Sequence, residues 1–258
     1  MSTADKLLNA LALFSFEAPE WTVDDAADAL DVSGSTAYRY FSSLTKAGLL
    51  DPTSGGRYVL GPAIIAYDRQ LRHRDPLINV ASPVLKRLVS RNGGDGIGLL
   101  CRRFRQQVMC VYQHHEHQPD QAVSYERGRP MGLYRGAASL VILAHLPGRT
   151  LRSLYAADQE TIEAAGLGKS WDEFKNKLRK IKTDRVCVTH GQLDPGMIGI
   201  SAPIFHDERQ IAGSVSIVLG EEDTKEAQIA GAAALVQAAA NEIDVGLSQY
   251  EHVPLPTG

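Results

Sequence analysis

The sequence predicts an α+β chain in two unequal domains: a small N-terminal domain of helices closed by two short strands, and a larger one with a six-stranded antiparallel sheet flanked by helices. Three observations carry this. The chain has 258 residues, long for one compact domain and comfortable for two. Apolar residues recur at helical spacing through the first 47 positions and then give way to a Gly-rich turn between two strand-like runs. Beyond residue 96, six strand-like runs occur with helical stretches before, between and after them.

In the small domain, Thr3 is placed to cap a first helix over 4–15, in which Leu7, Ala10, Leu11 and Phe14 share a face before Pro19 ends the pattern. Thr22, with Asp25 three positions on in the manner of a capping box, opens a second helix whose apolar face is Val23, Ala26, Ala27 and Leu30. Asp31, Val32 and Ser33 turn the chain. Ser33 then caps a third helix running to Ala47, and Gly48 stops it. Residues 49–60 read as two strands around a Gly-rich turn, a wing behind the helices. Boundaries follow at 1–61 for this domain, 62–75 for a linker helix, 76–250 for the larger domain and 251–258 for a tail.

The larger domain opens with a helix over 76–91, followed by strands at 97–101, 108–112 and 122–125. Helices at 137–145, 149–157 and 171–182 precede strands at 186–189, 198–205 and 211–219, the last with the clearest alternation. A closing helix aligns Ile229, Ala233, Val236, Ala240 and Ile243 on one side.

Composition excludes several classes. With 44% apolar and 22% charged residues the chain is an ordinary globular one. No apolar run approaches the ~18 residues of a membrane span, and no signal-peptide pattern opens the chain, so no membrane partner and a cytoplasmic location are expected. Cys101, Cys110 and Cys187 are too widely spaced for a disulfide framework or a zinc knuckle. The net charge is −3 but unevenly spread. Residues 1–32 carry one basic side chain against seven acidic ones, whereas 33–74 carry six basic against two acidic. A local basic stripe of this kind suits a small DNA-contact face.

The third helix has the chemistry for that contact. Ala37, Tyr40, Phe41 and Leu44 make its apolar side; Ser35, Arg39, Ser42, Ser43 and Lys46 make a short-armed, basic one. Ser33, Ser35 and Thr36 sit where hydroxyls and free N–H groups meet phosphates, and Ser33 serves equally as an N-cap. Tyr38 and Arg39 are placed for base edges, Arg by a bidentate pair to guanine and Tyr against a thymine methyl. Lys46 and the wing's Arg57 are placed to hold phosphates.

The stretch from Trp21 to Tyr67, with its Ser35, Thr36, Arg39 run and its Gly56 to Gly61 wing exit, resembles the winged helix-turn-helix of the IclR family of bacterial regulators. The similarity continues through GRPMGLYRGAAS at 128–139, AHLP at 144–147 and HGQLDPGMIGISAPIF at 190–205. The resemblance implies a GAF-like effector-binding domain behind the winged helix. It further implies roughly palindromic double-stranded operator DNA and a small-molecule effector as partners, a homodimer or dimer of dimers, and no catalysis, cofactor or metal. The chain departs from the family pattern where Tyr134 stands for the usual His, Leu140 for the usual Lys and Gln192 for the usual acid. Motif by motif, the implied pocket lies near Ala137, Ala138, Thr189, Gly199 and Ser216, with Met131 and Tyr134 just ahead as an apolar or aromatic wall. Those replacements leave fewer charges, which suits an aromatic catabolite better than a small, highly charged oxoacid.

Rival classes have less behind them. Among His114, His115, Glu116 and His117, adjacent residues point to opposite sides, and the spacing of a helical zinc motif is absent. No nucleophile elbow, Walker loop or dinucleotide fingerprint occurs. Cys101 and Cys110 fall on neighbouring predicted strands, which leaves a redox-responsive regulator as an alternative to buried structural thiols, beside a metal-responsive regulator and a non-catalytic small-molecule sensor whose helix-turn-helix contacts only protein.

Overall fold

The structure, a computed structural model, describes residues 2–117, 124–206, 210–222 and 224–250. The chain divides into two compact units, Met1–Asp75 and Pro76–Gly258.

The first unit contains α1 (Thr3–Ala12), β1 (Trp21–Thr22), α2 (Val23–Leu30), α3 (Gly34–Lys46), β2 (Leu50–Pro52), β3 (Arg57–Leu60) and α4 (Ala63–Arg74). Ser2, not Thr3, caps α1: its hydroxyl accepts from the Asp5 N–H while the Asp5 carboxylate accepts from the Ser2 N–H. The reason is register. A reciprocal box needs an acceptor three residues on, and from Thr3 that position is Lys6. The helix also ends at Ala12, earlier than expected, because the Trp21 indole ties down Leu13 and Ala18 through their carbonyls. For α2 the Thr22 hydroxyl does accept from the Asp25 N–H, at 3.1 Å. Gly48, at φ 71°, takes the left-handed position that stops α3.

The wing is a three-stranded antiparallel sheet in the order β1-β3-β2. Its third strand, β1, is two residues long and leaves no alternation to read in the sequence. Phe41 is fully buried at the centre of the unit, its ring 5.0 Å from Tyr58 edge-on and 6.2 Å from Phe14. Ala10, Ala26, Tyr40, Leu44 and Leu50 complete this core. The 3.6 spacing thus puts Ala37, Tyr40, Phe41 and Leu44 inside and turns the hydroxyl-rich, basic side of α3 outward.

The second unit contains α5 (Pro76–Arg91), β4 (Ile97–Phe104), β5 (Gln107–His114), β6 (Pro130–Gly132), α6 (Ala137–Ala144), α7 (Gly148–Ala157), α8 (Gln159–Ala164), α9 (Trp171–Asp184), β7 (Cys187–His190), β8 (Met197–Phe205), β9 (Ile211–Gly220) and α10 (Glu226–Tyr250). The six strands form one antiparallel sheet in the order β6-β5-β4-β9-β8-β7. Of the strand expected at 122–125, only the last two residues are described. Ala122 and Val123 lie outside the described residues, Ser124 and Tyr125 are not in a strand, and the edge is β6 instead. Tyr125 is apolar enough to suggest a strand, but its ring is buried with α6, where its hydroxyl meets Ser139.

Period-2 alternation makes the two sheet faces unlike. On one, Leu100, Ile198, Ile200, Ala202, Ile204, Val215, Ile217 and Leu219 pack against α5 and α10. On the other, β7, β8 and β9 offer Thr189, Gly199, Ser201, Ser214 and Ser216 toward α6. All eight residues of α6 are buried. Large side chains fill the first face, whereas short polar ones leave space beneath α6.

Candidate nucleic-acid interface and ligand cavity

At the start of α3, Ser33 accepts from the Thr36 N–H, and its hydroxyl also meets those of Ser35 at 3.1 Å and Thr36 at 2.9 Å. Three hydroxyls therefore converge on the positive end of an exposed helix. Tyr38 is 60% exposed, and Arg39, Ser43 and Lys46 are exposed further along the same helix. Arg57 stands on β3 with its guanidinium 3.7 Å from the Glu20 carboxylate. Both partners are about half exposed, so this pair is weak and leaves the arginine available to a phosphate. Seven of the eight candidate residues lie on α3 or its cap, and Arg57 lies on the wing.

In the second unit a cavity of about 380 Å³, its mouth included, opens beneath the first turn of α6. Ala137, Ala138, Thr189, Gly199 and Ser216 line it together. Met131 and Tyr134 do not. Met131 packs from β6 into the surrounding core, and the Tyr134 hydroxyl turns away to donate to the Asp158 carboxylate at 2.6 Å, between α7 and α8. Burial first, and the bonded carboxylate second, push the Tyr134 phenol well up, so it stays a donor fixed to Asp158. The expected aromatic wall is supplied instead by Tyr125, with Leu193 and Asp194 from the β7–β8 connection, none of them singled out in the sequence reading. Gln192 also lines the cavity; in the sequence it is marked only as a departure from the family pattern.

The polar groups of the cavity are wired in fixed directions. Ser216 donates to Ser201 at 2.8 Å, and Ser201 donates onward to the Val215 carbonyl at 3.3 Å. The Ser216 oxygen thus faces the cavity as an acceptor. The Tyr125 hydroxyl and Ser139 hydroxyl share a 2.6 Å bond. Gly136, at φ 84° and ψ 142°, turns the chain into α6, and its N–H donates to Gln192 Oε1 at 3.0 Å. The next N–H groups, of Ala137 and Ala138, have no acceptor within the helix. Among the lining residues no Lys, Arg or His occurs.

The remaining candidates are not gathered into a site. Among the described residues no group of three or more His, Cys, Asp or Glu could hold a metal ion. Cys101 and Cys110 are cross-strand partners, both fully buried, and the neighbouring Cys110 thiol together with burial pushes the Cys101 thiol far up. A thiol raised in this way is a poor nucleophile, which weakens the redox alternative.

Known proteins match both units. The family described as "Bacterial transcriptional regulator IclR C-terminal" matches residues 70–245, and the "IclR helix-turn-helix domain" matches residues 3–53. The HTH-type transcriptional regulator KipR of Bacillus subtilis is 26% identical over 217 residues, covering 83% of this chain and 84% of that protein. The crystal structure of an IclR transcriptional regulator from Alicyclobacillus acidocaldarius superposes with a TM-score of 0.79 at 17% identity, covering 95% of this chain and 98% of that one. An IclR homolog from Microbacterium hydrocarbonoxydans, crystallised with 4-hydroxybenzoate, gives a TM-score of 0.75 at 18% identity over 96% of this chain and 100% of that one.

Proposed function

The chain belongs to the IclR family of bacterial transcriptional regulators, and on that premise we propose that it represses a catabolic operon, reading duplex operator DNA through α3 and releasing it according to the ligand under α6. It works in the cytoplasm, where the DNA is, and carries out no reaction. The observation that carries the effector reading is the cavity itself. Its lining is mostly apolar with a few polar groups at the α6 end, which suits one ring with one polar head. Leu99, Tyr125, Leu193, Met197 and Val218 offer apolar wall, the α6 N–H groups and Thr189 offer donors at one end, and Ser216 offers an acceptor. An aromatic catabolite with a carboxylate fits that inventory. The relative from Microbacterium hydrocarbonoxydans crystallised with 4-hydroxybenzoate supports the same class.

On DNA, Arg39 and Tyr38 read bases, while Ser33, Ser35, Thr36, Ser43, Lys46 and Arg57 hold phosphates. Arg39→Ala is expected to cost ~1–3 kcal/mol at the operator and to flatten the preference for it over scrambled DNA. Lys46→Ala should weaken both alike and reduce the salt slope by about one. Fluorescence anisotropy across a salt series separates the two. Unchanged affinity of Arg39→Ala for both duplexes would show that α3 is not the reading helix.

One helix reads only a few base pairs, so useful specificity requires paired copies on a roughly palindromic site. Light scattering is expected to show a homodimer or dimer of dimers at micromolar concentration. A monomer that still binds its operator tightly would overturn the paired arrangement.

A further inference from the structure

The connection between β7 and β8, residues 191–196, closes the cavity as a strap held at two points. At one, the Asp194 carboxylate accepts from both the N–H and the hydroxyl of Ser124. At the other, Gln192 Oε1 accepts from the Gly136 N–H, where the positive end of α6 begins. We propose that Gln192 sets which head group the cavity admits: its carboxamide fills the acceptor position at Gly136 without adding charge, so the positive end of α6 stays uncompensated and selects a ligand with a single carboxylate. The proposal rests on reading this cavity as the effector site.

Four features support it. First, the lining has no cationic side chain, so the attraction for an anion comes from the α6 N–H groups of Ala137 and Ala138. Second, and independently of the helix end, the Thr189 hydroxyl lines the cavity at 7% exposure and has no hydrogen-bond partner among the described residues. That hydroxyl is open to the cavity, where it can donate to or accept from a ligand oxygen. Third, this hydroxyl and the helix end converge. A Cβ built on Gly199 would lie 3.1 Å from Thr189 Oγ1 and 3.9 Å from the Ala137 nitrogen, so both donors border the space that Gly199 leaves open. Fourth, Asp194 is the one charged side chain in the lining. An acid at position 192 would put a second carboxylate two residues away and would satisfy the α6 end from within the protein. Gln avoids both. The Ser216 oxygen, its proton committed to Ser201, is left to accept from a hydroxyl or N–H elsewhere on the ligand.

The test uses the full chain, with benzoate, benzamide and benzylamine as probes in calorimetric titrations. Wild type is expected to prefer benzoate over the neutral and cationic analogues by roughly tenfold or more. In Gln192→Glu the new carboxylate occupies the α6 end itself. The ligand-free variant should therefore melt no lower than wild type, benzoate should weaken by roughly tenfold, and benzamide should change by less than about threefold. Gln192→Ala, which only loosens the strap, should shift all three probes alike and keep the order. Three results overturn the role of Gln192 while leaving the cavity a ligand site: equal losses of benzoate and benzamide in Gln192→Glu, a lower melting point for that variant, or a wild-type preference for benzylamine. Ser216→Phe, which fills the cavity, tests the underlying reading. Probe binding that survives Ser216→Phe, or wild type that takes none of the probes, overturns the effector site as well.

Discussion

Phe41→Ala is expected to unfold the N-terminal unit at temperatures where the C-terminal unit stays folded. Phe41 is fully buried between the rings of Phe14 and Tyr58, and truncating a buried Phe costs ~3–5 kcal/mol in lost burial and residual cavity. A unit of 75 residues has a total stability of about 4–11 kcal/mol, so the loss takes a large share of it. Scanning calorimetry should show one transition moved down by many degrees and another nearly unmoved, with operator binding lost and benzoate titration retained. A single transition that shifts as a whole would show that the two units do not melt separately.

The second large effect is expected at Gly136. With φ 84° and ψ 142° it occupies backbone space open essentially to glycine, and any other residue there carries ~1–3 kcal/mol of strain. A Cβ would also lie 2.4 Å from Leu193 Cδ1 and 3.2 Å from the Tyr125 hydroxyl. Gly136→Ala should therefore lower the melting point and also push Leu193, and the strap with it, off the cavity, weakening benzoate. Adding Leu193→Ala removes the collision but not the backbone strain. The double variant should regain part of the benzoate affinity while still melting low. If it melts like wild type, the collision rather than the backbone is the cost.

What the sequence made legible follows from how locally each feature is determined. The third helix could be bounded closely because Ser33 begins it and Gly48 ends it through their own backbone chemistry. The strands β8 and β9 could be found because a side chain every second residue faces a helix layer on each side. By contrast, β6 has three residues, includes Pro130, and exists only through its pairing with β5, while Tyr125 is buried against α6 rather than in a strand. The six-residue α8 is likewise too short for periodicity to show. In the cavity, Ala137, Ala138, Thr189, Gly199 and Ser216 are placed by regular elements and so come together as their positions imply. The Tyr134 hydroxyl is held by Asp158, 24 residues on, a contact across the fold to which no local spacing points. Leu193 and Asp194 reach the cavity from an irregular connection, and no spacing rule points to them.

The distribution of cysteines makes the unmodified protein its own reporter of local opening. Cys101, Cys110 and Cys187 are all free, all buried, and all in the C-terminal unit, and burial pushes the Cys187 thiol up to about 12. An alkylating reagent such as a maleimide meets these thiols only in molecules whose sheet has transiently come apart. The rate of uptake is then a clock for that unit alone, blind to fraying of the winged helix. A ligand that binds only the closed form slows the clock by the factor 1 + [L]/Kd. Occupancy of the cavity can therefore be read kinetically, without an operator or an engineered residue.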